Sequence, residues 1–278
     1  MNVPAFNDRC ERKYQIGIDE NEVADLWRDL KAFLGEHKLV PVQEITSVGS
    51  VYFDNEDCDL LRLSLLGQLM IFRIRAYELF GESPLPISNY WVEVKTADGE
   101  RRHKKRFPLT KQGLLGFLAG KDAEEGVFDI DQTYFDDGLA ADYYKESQET
   151  LLGMGLSPIL LVTCKRLAFQ GEVDRLSLDW DVRYYDARSQ PFDDTSWKYL
   201  DELAVGKAEK IILELKYLKG EPPAWFSELE KRYPIRRREY LKPVEGMGSL
   251  FRGPVSEHKE ANRLLPMIDS YMANSLLG

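Results

Sequence analysis

Four separated stretches of this 278-residue chain place charged side chains two residues apart inside apolar sequence: Glu11-Arg12-Lys13, Arg73-Ile74-Arg75, Glu93-Val94-Lys95 and Glu214-Leu215-Lys216. On a β-strand, residues i and i+2 share a face. Each stretch therefore turns two charges to one side, while Ile74, Val94 and Leu215 face the other way into packing. Any one such pair fits the wet face of a half-exposed sheet. Several pairs on different strands, each backed by an apolar face, point to a sheet covered outside by helices and charged inside. Charges aimed into a concave face are costly without a compensating ion. A polyanion carrying a bound metal compensates both signs.

The period-2 pattern predicts strands over 10–17, 46–54, 69–77, 90–96, 103–108, 158–170, 172–186 and 210–217. Helical spacing covers 20–34, 57–66, 140–154 and 222–231, and Thr110 is placed to cap a helix that runs to Leu118. Turn residues Gly81, Pro84, Pro86 and Gly99 separate the strands, and Gly171 joins the two longest as a hairpin. On the second of these, Leu176, Leu178, Trp180 and Val182 share one face, and Arg175, Ser177, Asp179, Asp181 and Arg183 the other. Gly246, Gly248, Gly253 and Pro254 interrupt the tail before an amphipathic stretch over 257–276. The expected organisation is an α+β domain over 1–243, its antiparallel sheet curled into a barrel, and a helical appendage over 244–278.

The net charge of −10 argues against nucleic acid as a partner. That charge is unevenly spread. Residues 119–149 carry ten Asp and Glu against Lys121 and Lys145, while basic residues gather at 101–106 and 232–238. Cys10, Cys58 and Cys164 are scattered without CxxC spacing, and there are only three His, which excludes a disulfide framework and a zinc site as expectations. No run approaches the roughly 18 apolar residues of a membrane span. The N-terminus lacks an apolar signal core, so a cytoplasmic protein without direct membrane insertion is expected. No P-loop, GxGxxG or GxSxG pattern occurs. Arginine forks and lysine point charges suit phosphate. Carboxylates beside phosphates call for Mg²⁺ or Mn²⁺, which prefer oxygen ligands.

Seven segments in order carry a family resemblance: Arg9-x-Glu11-Arg12-Lys13-Tyr14, Ser50-Val51-Tyr52-Phe53-Asp54, Arg73-Ile74-Arg75-x-Tyr77, Glu93-Val94-Lys95-Thr96, Arg166-Leu167-Ala168-Phe169, Arg175-Leu176-Ser177-Leu178-Asp179 and Leu213-Glu214-Leu215-Lys216. Over residues 9–243 the chain resembles the polyphosphate polymerase domain of vacuolar transporter chaperone (VTC) complexes and its stand-alone bacterial relatives. These belong to the triphosphate tunnel metalloenzymes, together with CYTH adenylate cyclases and thiamine triphosphatases. The resemblance implies a closed eight-stranded antiparallel β-tunnel, with helices packed outside, that builds polyphosphate from ATP with Mn²⁺ or Mg²⁺. Tripolyphosphate or nucleoside-triphosphate hydrolysis, or polyphosphate binding without catalysis, would use the same tunnel.

Carried over by position, Lys13, Arg73, Arg75, Lys95, Arg166 and Arg175 are the implied catalytic phosphate ligands. Glu214 is the implied metal carboxylate, with Glu11 and Glu93 as helpers. Of Lys104, Lys105 and Arg106, parity favours Lys105 as a further phosphate ligand, and Lys216, Arg237 and Arg238 complete the substrate-binding candidates. The chain departs from the family pattern at Arg9, where CYTH enzymes begin with a carboxylate, at Cys164 in place of a tyrosine, and at Glu239, where a lysine is expected. Coupling to transport would require a membrane-protein partner, with 257–276 as the contact unless that stretch docks on its own tunnel wall.

Overall fold

The alternation is realised strand by strand in a computed structural model, which describes residues 9–42, 45–79, 90–98, 101–124, 126–128, 137–188, 201–218 and 220–275. The strands in chain order are β1 (Arg9–Ile16), β2 (Val40–Pro41), β3 (Thr46–Asp54), β4 (Met70–Leu79), β5 (Tyr90–Asp98), β6 (Arg101–Leu109), β7 (Ser157–Gln170), β8 (Arg175–Asp186), β9 (Gly206–Lys207), β10 (Ile211–Leu218) and β11 (Ile235–Arg237). They form one antiparallel sheet in the order β11-β1-β10-β8-β7-β3-β4-β5-β6, with β2 added to β7 and β9 to β8. The expected turns at Gly81, Pro84, Pro86 and Gly99, residues 129–136 of the acidic segment, and Leu276 lie outside the described residues.

The eight long strands are those expected, but the ladder is open rather than closed. Its ends are β11 and β6, and no hydrogen-bonded pairing joins β6 to β1 among the described residues. The edge of β1 is already occupied. Tyr14, Gln15 and Ile16 pair with Arg237, Arg236 and Ile235, and the Arg238 N–H donates to the Lys13 carbonyl at 3.0 Å. A three-residue strand thus takes the bonds that closure would have used.

Seven α-helices lie among the described residues: α1 (Val23–Glu36), α2 (Asp59–Leu65), α3 (Lys111–Leu118), α4 (Asp137–Gly153), α5 (Ala224–Arg232), α6 (Lys242–Arg252) and α7 (Ala261–Asn274). The 3₁₀ turn before α1 starts with a capping box, in which Asp19 accepts from Asn21 N–H and Glu22 accepts from Asp19 N–H. Thr110 Oγ1 caps α3 by accepting from Gly113 N–H at 3.0 Å. Leu30, Phe33 and Leu34 of α1 and Phe226 and Leu229 of α5 pack on Leu176, Leu213 and Leu215. Leu114 and Phe117 of α3 and Tyr144 of α4 pack on Phe72, Ile74, Val92 and Phe107. Each such side chain stabilises the fold by roughly 1.5–3 kcal/mol when fully buried. Both layers cover the outer face of the sheet.

The third core cluster lies on the inner face. There Val244, Met247, Leu250 and Phe251 of α6, and Leu264 and Ile268 of α7, pack against Val48, Leu160, Val162, Val182 and Tyr184. The C-terminal stretch therefore docks on its own sheet. Helix α6 was not expected, because its glycines read as interruptions. Gly246 is instead a close-packing residue: a Cβ there would lie 2.7 Å from Leu160 Cδ2 and 2.8 Å from Tyr184 Cδ1. Val182 was expected on the face of Leu178 and Trp180, yet it joins the inner cluster with Tyr184. The cause is a bulge. Pairing of β7 with β8 shifts between Thr163 and Lys165, and Asp181 adopts the left-handed region at φ 50°, which reverses the parity of the strand beyond it. The Asp181 N–H donates to Glu20 Oε1 at 3.0 Å, and Lys165 and Arg183 pair with its carboxylate.

Candidate functional site

Where α6 and α7 do not cover it, the inner face surrounds a cavity of about 510 Å³. Among the described residues, ten Lys and Arg side chains against five carboxylates line it, contributed by seven of the eight long strands, Glu239 and the first residue of α6, while β3 adds Tyr52. The structure brings Lys13, Arg73, Arg75, Lys95, Arg166, Arg175, Lys216, Glu11, Glu93 and Glu214 together there. Three sequence candidates fall elsewhere. Lys105 shares the outward parity of Phe107 and Leu109 and pairs with Glu146 of α4. The register sets Arg106 opposite Glu93 and Lys104 opposite Lys95, so these two face the cavity instead. Arg237, on edge strand β11, is exposed beside Glu239, and Arg238 donates to Gln15 Oε1 at 3.0 Å.

The wall built by β4, β5 and β6 is organised about one carboxylate. Glu93 Oε2 accepts from Arg73 Nε at 2.8 Å and Nη2 at 2.5 Å, with Arg75 Nη1 at 4.0 Å. Glu93 Oε1 faces Arg106 Nε at 3.2 Å and Lys104 Nζ at 3.4 Å. Burial alone would raise the Glu93 pKa, but Arg73, Arg75, Lys104 and Arg106 hold it well below the usual carboxylate range. Arg73 also donates to Tyr52 Oη at 3.1 Å, and Arg75 donates to Ser50 Oγ at 2.9 Å. Burial would raise the Tyr77 phenol, yet the Arg75 and Arg106 guanidiniums outweigh it and bring it to about 8.

The β7–β8 corner contains a residue that sequence reasoning missed. Arg166 forms a two-pronged pair with Asp179 at 2.5 and 2.6 Å, and Lys242 Nζ donates to the same carboxylate at 2.6 Å. Lys242 also lies 3.1 Å from Cys164 Sγ. The expected C-terminal lysine was sought at Glu239, whereas the chain supplies Lys242 from the first turn of α6. Its place beside Pro243, a helix-starting residue, was the available clue. Tyr240 is buried, bonds to Tyr184 Oη at 2.6 Å, and presents its carbonyl to Lys13 Nζ at 2.7 Å.

On β1 and β10, Glu11 and Glu214 share one ammonium, with Lys216 Nζ at 3.4 Å and 3.0 Å from them. Burial opposes the Glu214 charge, but Lys216, Lys13, Arg166 and Lys95 hold its carboxyl well below the ordinary range. No group of three or more His, Cys, Asp and Glu assembles a metal cage among the described residues. Two carboxylates at one point are, however, the donor set of a divalent ion that takes its remaining ligands from phosphates and water.

Two cavity cations have neither a hydrogen bond nor an ion pair among the described residues: Lys95 and Arg175. Burial, with Arg73 close by, pushes the Lys95 ammonium well below its ordinary value. Burial and Arg166 lower Arg175. A charge buried without a partner carries an uncompensated desolvation cost.

Solved structures with a similar trace include a candidate adenylate cyclase from Bacillus halodurans, 16% identical with a TM-score of 0.46 over 86% of this chain and 96% of that one. A candidate adenylate cyclase from Vibrio parahaemolyticus is 11% identical with a TM-score of 0.38 over 82% and 84% of the two chains. The Mimivirus capping enzyme triphosphatase is 11% identical with a TM-score of 0.30 over 80% and 86%. At these values the likeness carries no weight about chemistry. The family model for the VTC domain matches residues 8–251, so the chain belongs to the VTC domain family.

Proposed function

We propose that the cavity binds the phosphate chain of ATP, tripolyphosphate or polyphosphate and transfers a phosphoryl group, building polyphosphate from ATP. The observation that carries this reading is the excess of cations among the described residues, ten against five carboxylates, with the Lys95 and Arg175 side chains making no hydrogen bond or ion pair there. Membership of the VTC domain family supports it.

Phosphoryl transfer needs positioning and neutralisation of charge on the equatorial oxygens more than it needs a protein nucleophile. Arg73 and Arg75, fixed by Glu93, Tyr52 and Ser50, present preset forks to those oxygens. Lys95 and Lys13 add point charges and Arg175 a further guanidinium, and Arg166 and Lys242 close the far corner on Asp179. The attacking oxygen belongs to a phosphate chain end, so the reaction requires no protein nucleophile. Mn²⁺ or Mg²⁺ would be held by Glu214 and Glu11 and would supply further neutralisation of phosphate charge.

The test is incubation with ATP and Mn²⁺, followed by gel separation of long polyphosphate from free phosphate. Long chains are expected. Free phosphate alone would replace polymerisation with hydrolysis, and tight tripolyphosphate binding without turnover would leave a binding module.

A further inference from the structure

Glu93 is 1% exposed, the least exposed charged residue in the cavity wall. It lies on the middle strand of three, with Arg73 opposite it on β4 and Arg106 opposite it on β6. Oε2 accepts from the Arg73 fork, and Oε1, which accepts no hydrogen bond among the described residues, lies within ion-pair distance of both Arg106 and Lys104. A divalent ion at this carboxylate would have to sit among four cations, two of them on the Oε1 side within 3.4 Å. Glu214 differs, since its ion pair is with Lys216 and it has a second carboxylate, Glu11, beside the same ammonium.

We infer that Glu93 takes no metal and is the positioning residue of this wall, setting Arg73, Arg75, Lys104 and Arg106 at the spacing a phosphate chain requires. The inference rests on the reading of the cavity as an oligophosphate site. It has an unusual sign. Removing a negative charge from the wall should tighten anion binding if charge alone mattered. If the carboxylate acts by holding the cations in place, removing it should weaken binding, because misplaced donors lose their preset geometry.

The experiment is calorimetric titration of the full chain with inorganic tripolyphosphate, without metal and with Mn²⁺, for wild type, Glu93→Gln, Glu93→Asp and Glu214→Gln. Glu93→Gln should weaken metal-free binding by about tenfold or more, while the change in affinity that Mn²⁺ brings stays as in wild type. Glu93→Asp keeps the charge but withdraws it by one methylene, and should weaken binding by about three- to tenfold. Glu214→Gln should lose the Mn²⁺ effect. Equal or tighter binding by Glu93→Gln, or loss of its Mn²⁺ effect, overturns the inference. Should Glu93→Gln fail to fold, Glu93→Asp decides, and wild-type affinity in that variant overturns it. A wild-type protein that does not bind tripolyphosphate overturns the reading of the cavity itself, an outcome separable from any that concerns Glu93 alone.

Discussion

The inner face of this sheet has two halves made by the same strands. Strand β7 contributes Leu160, Val162 and Cys164 to one half and Arg166 to the other. Strand β4 contributes Ile71 next to Arg73 and Arg75, and β8 contributes Asp179 on one side of its bulge and Val182 on the other. Where α6 and α7 cover the face it is apolar and filled to the point that Gly246 admits no side chain. Where α6 and α7 do not cover it, the face is charged, with cations in excess and two of them unpartnered among the described residues. One half is completed by α6 and α7, and the other is lined by charged side chains around a cavity.

The largest effect should come from the covered half. Phe251→Ala, at a side chain 1% exposed, should cost about 3–5 kcal/mol in urea unfolding. The folded fraction should keep its tripolyphosphate affinity. The open half should behave inversely. Arg73→Ala should reduce turnover by about 100- to 1000-fold, on the order of the loss from removing one oxyanion donor, while far-ultraviolet circular dichroism stays unchanged. Wild-type turnover in that variant would remove Arg73 from the site. Gly246→Ala places a methyl against Leu160 and Tyr184 and should cost about 1–3 kcal/mol by overpacking, read from the same urea curves.

A smaller effect concerns acid. Burial would raise the Asp179 carboxyl, but Arg166 and Lys242 depress it below the ordinary range. A depressed folded value means that its stabilisation is complete above the unfolded value of about 3.9 and is lost as pH falls below it. Asp179→Asn should flatten the decline in stability between about pH 5 and 2. An unchanged decline would show that the pair contributes nothing there.

Much of this contrast was legible in the sequence. Period-2 alternation places the strands and turns Arg73, Arg75, Lys95, Arg166 and Glu214 inward, because local backbone geometry fixes side-chain direction. What it does not carry is pairing between distant segments. Lys105 was exchanged for Lys104 and Arg106 because facing depends on the register of β5 with β6. Closure failed because three residues of β11 occupy the β1 edge, and Val182 changed face because one residue, Asp181, turns left-handed. Helix α6, with the cavity lysine Lys242 at its start, was hidden because glycine reads locally as a breaker and only tertiary contact shows it as a fit.

The most direct test of the central claim targets the two unpartnered cations. In calorimetric titration with tripolyphosphate, the double variant Lys95→Ala/Arg175→Ala should lose about 100-fold or more in affinity. Its unfolding free energy in urea should equal or exceed that of wild type, since no native pair is broken. Wild-type affinity in the double variant, or an absence of binding by the unaltered protein, would contradict the assignment of the uncovered half as an anion site.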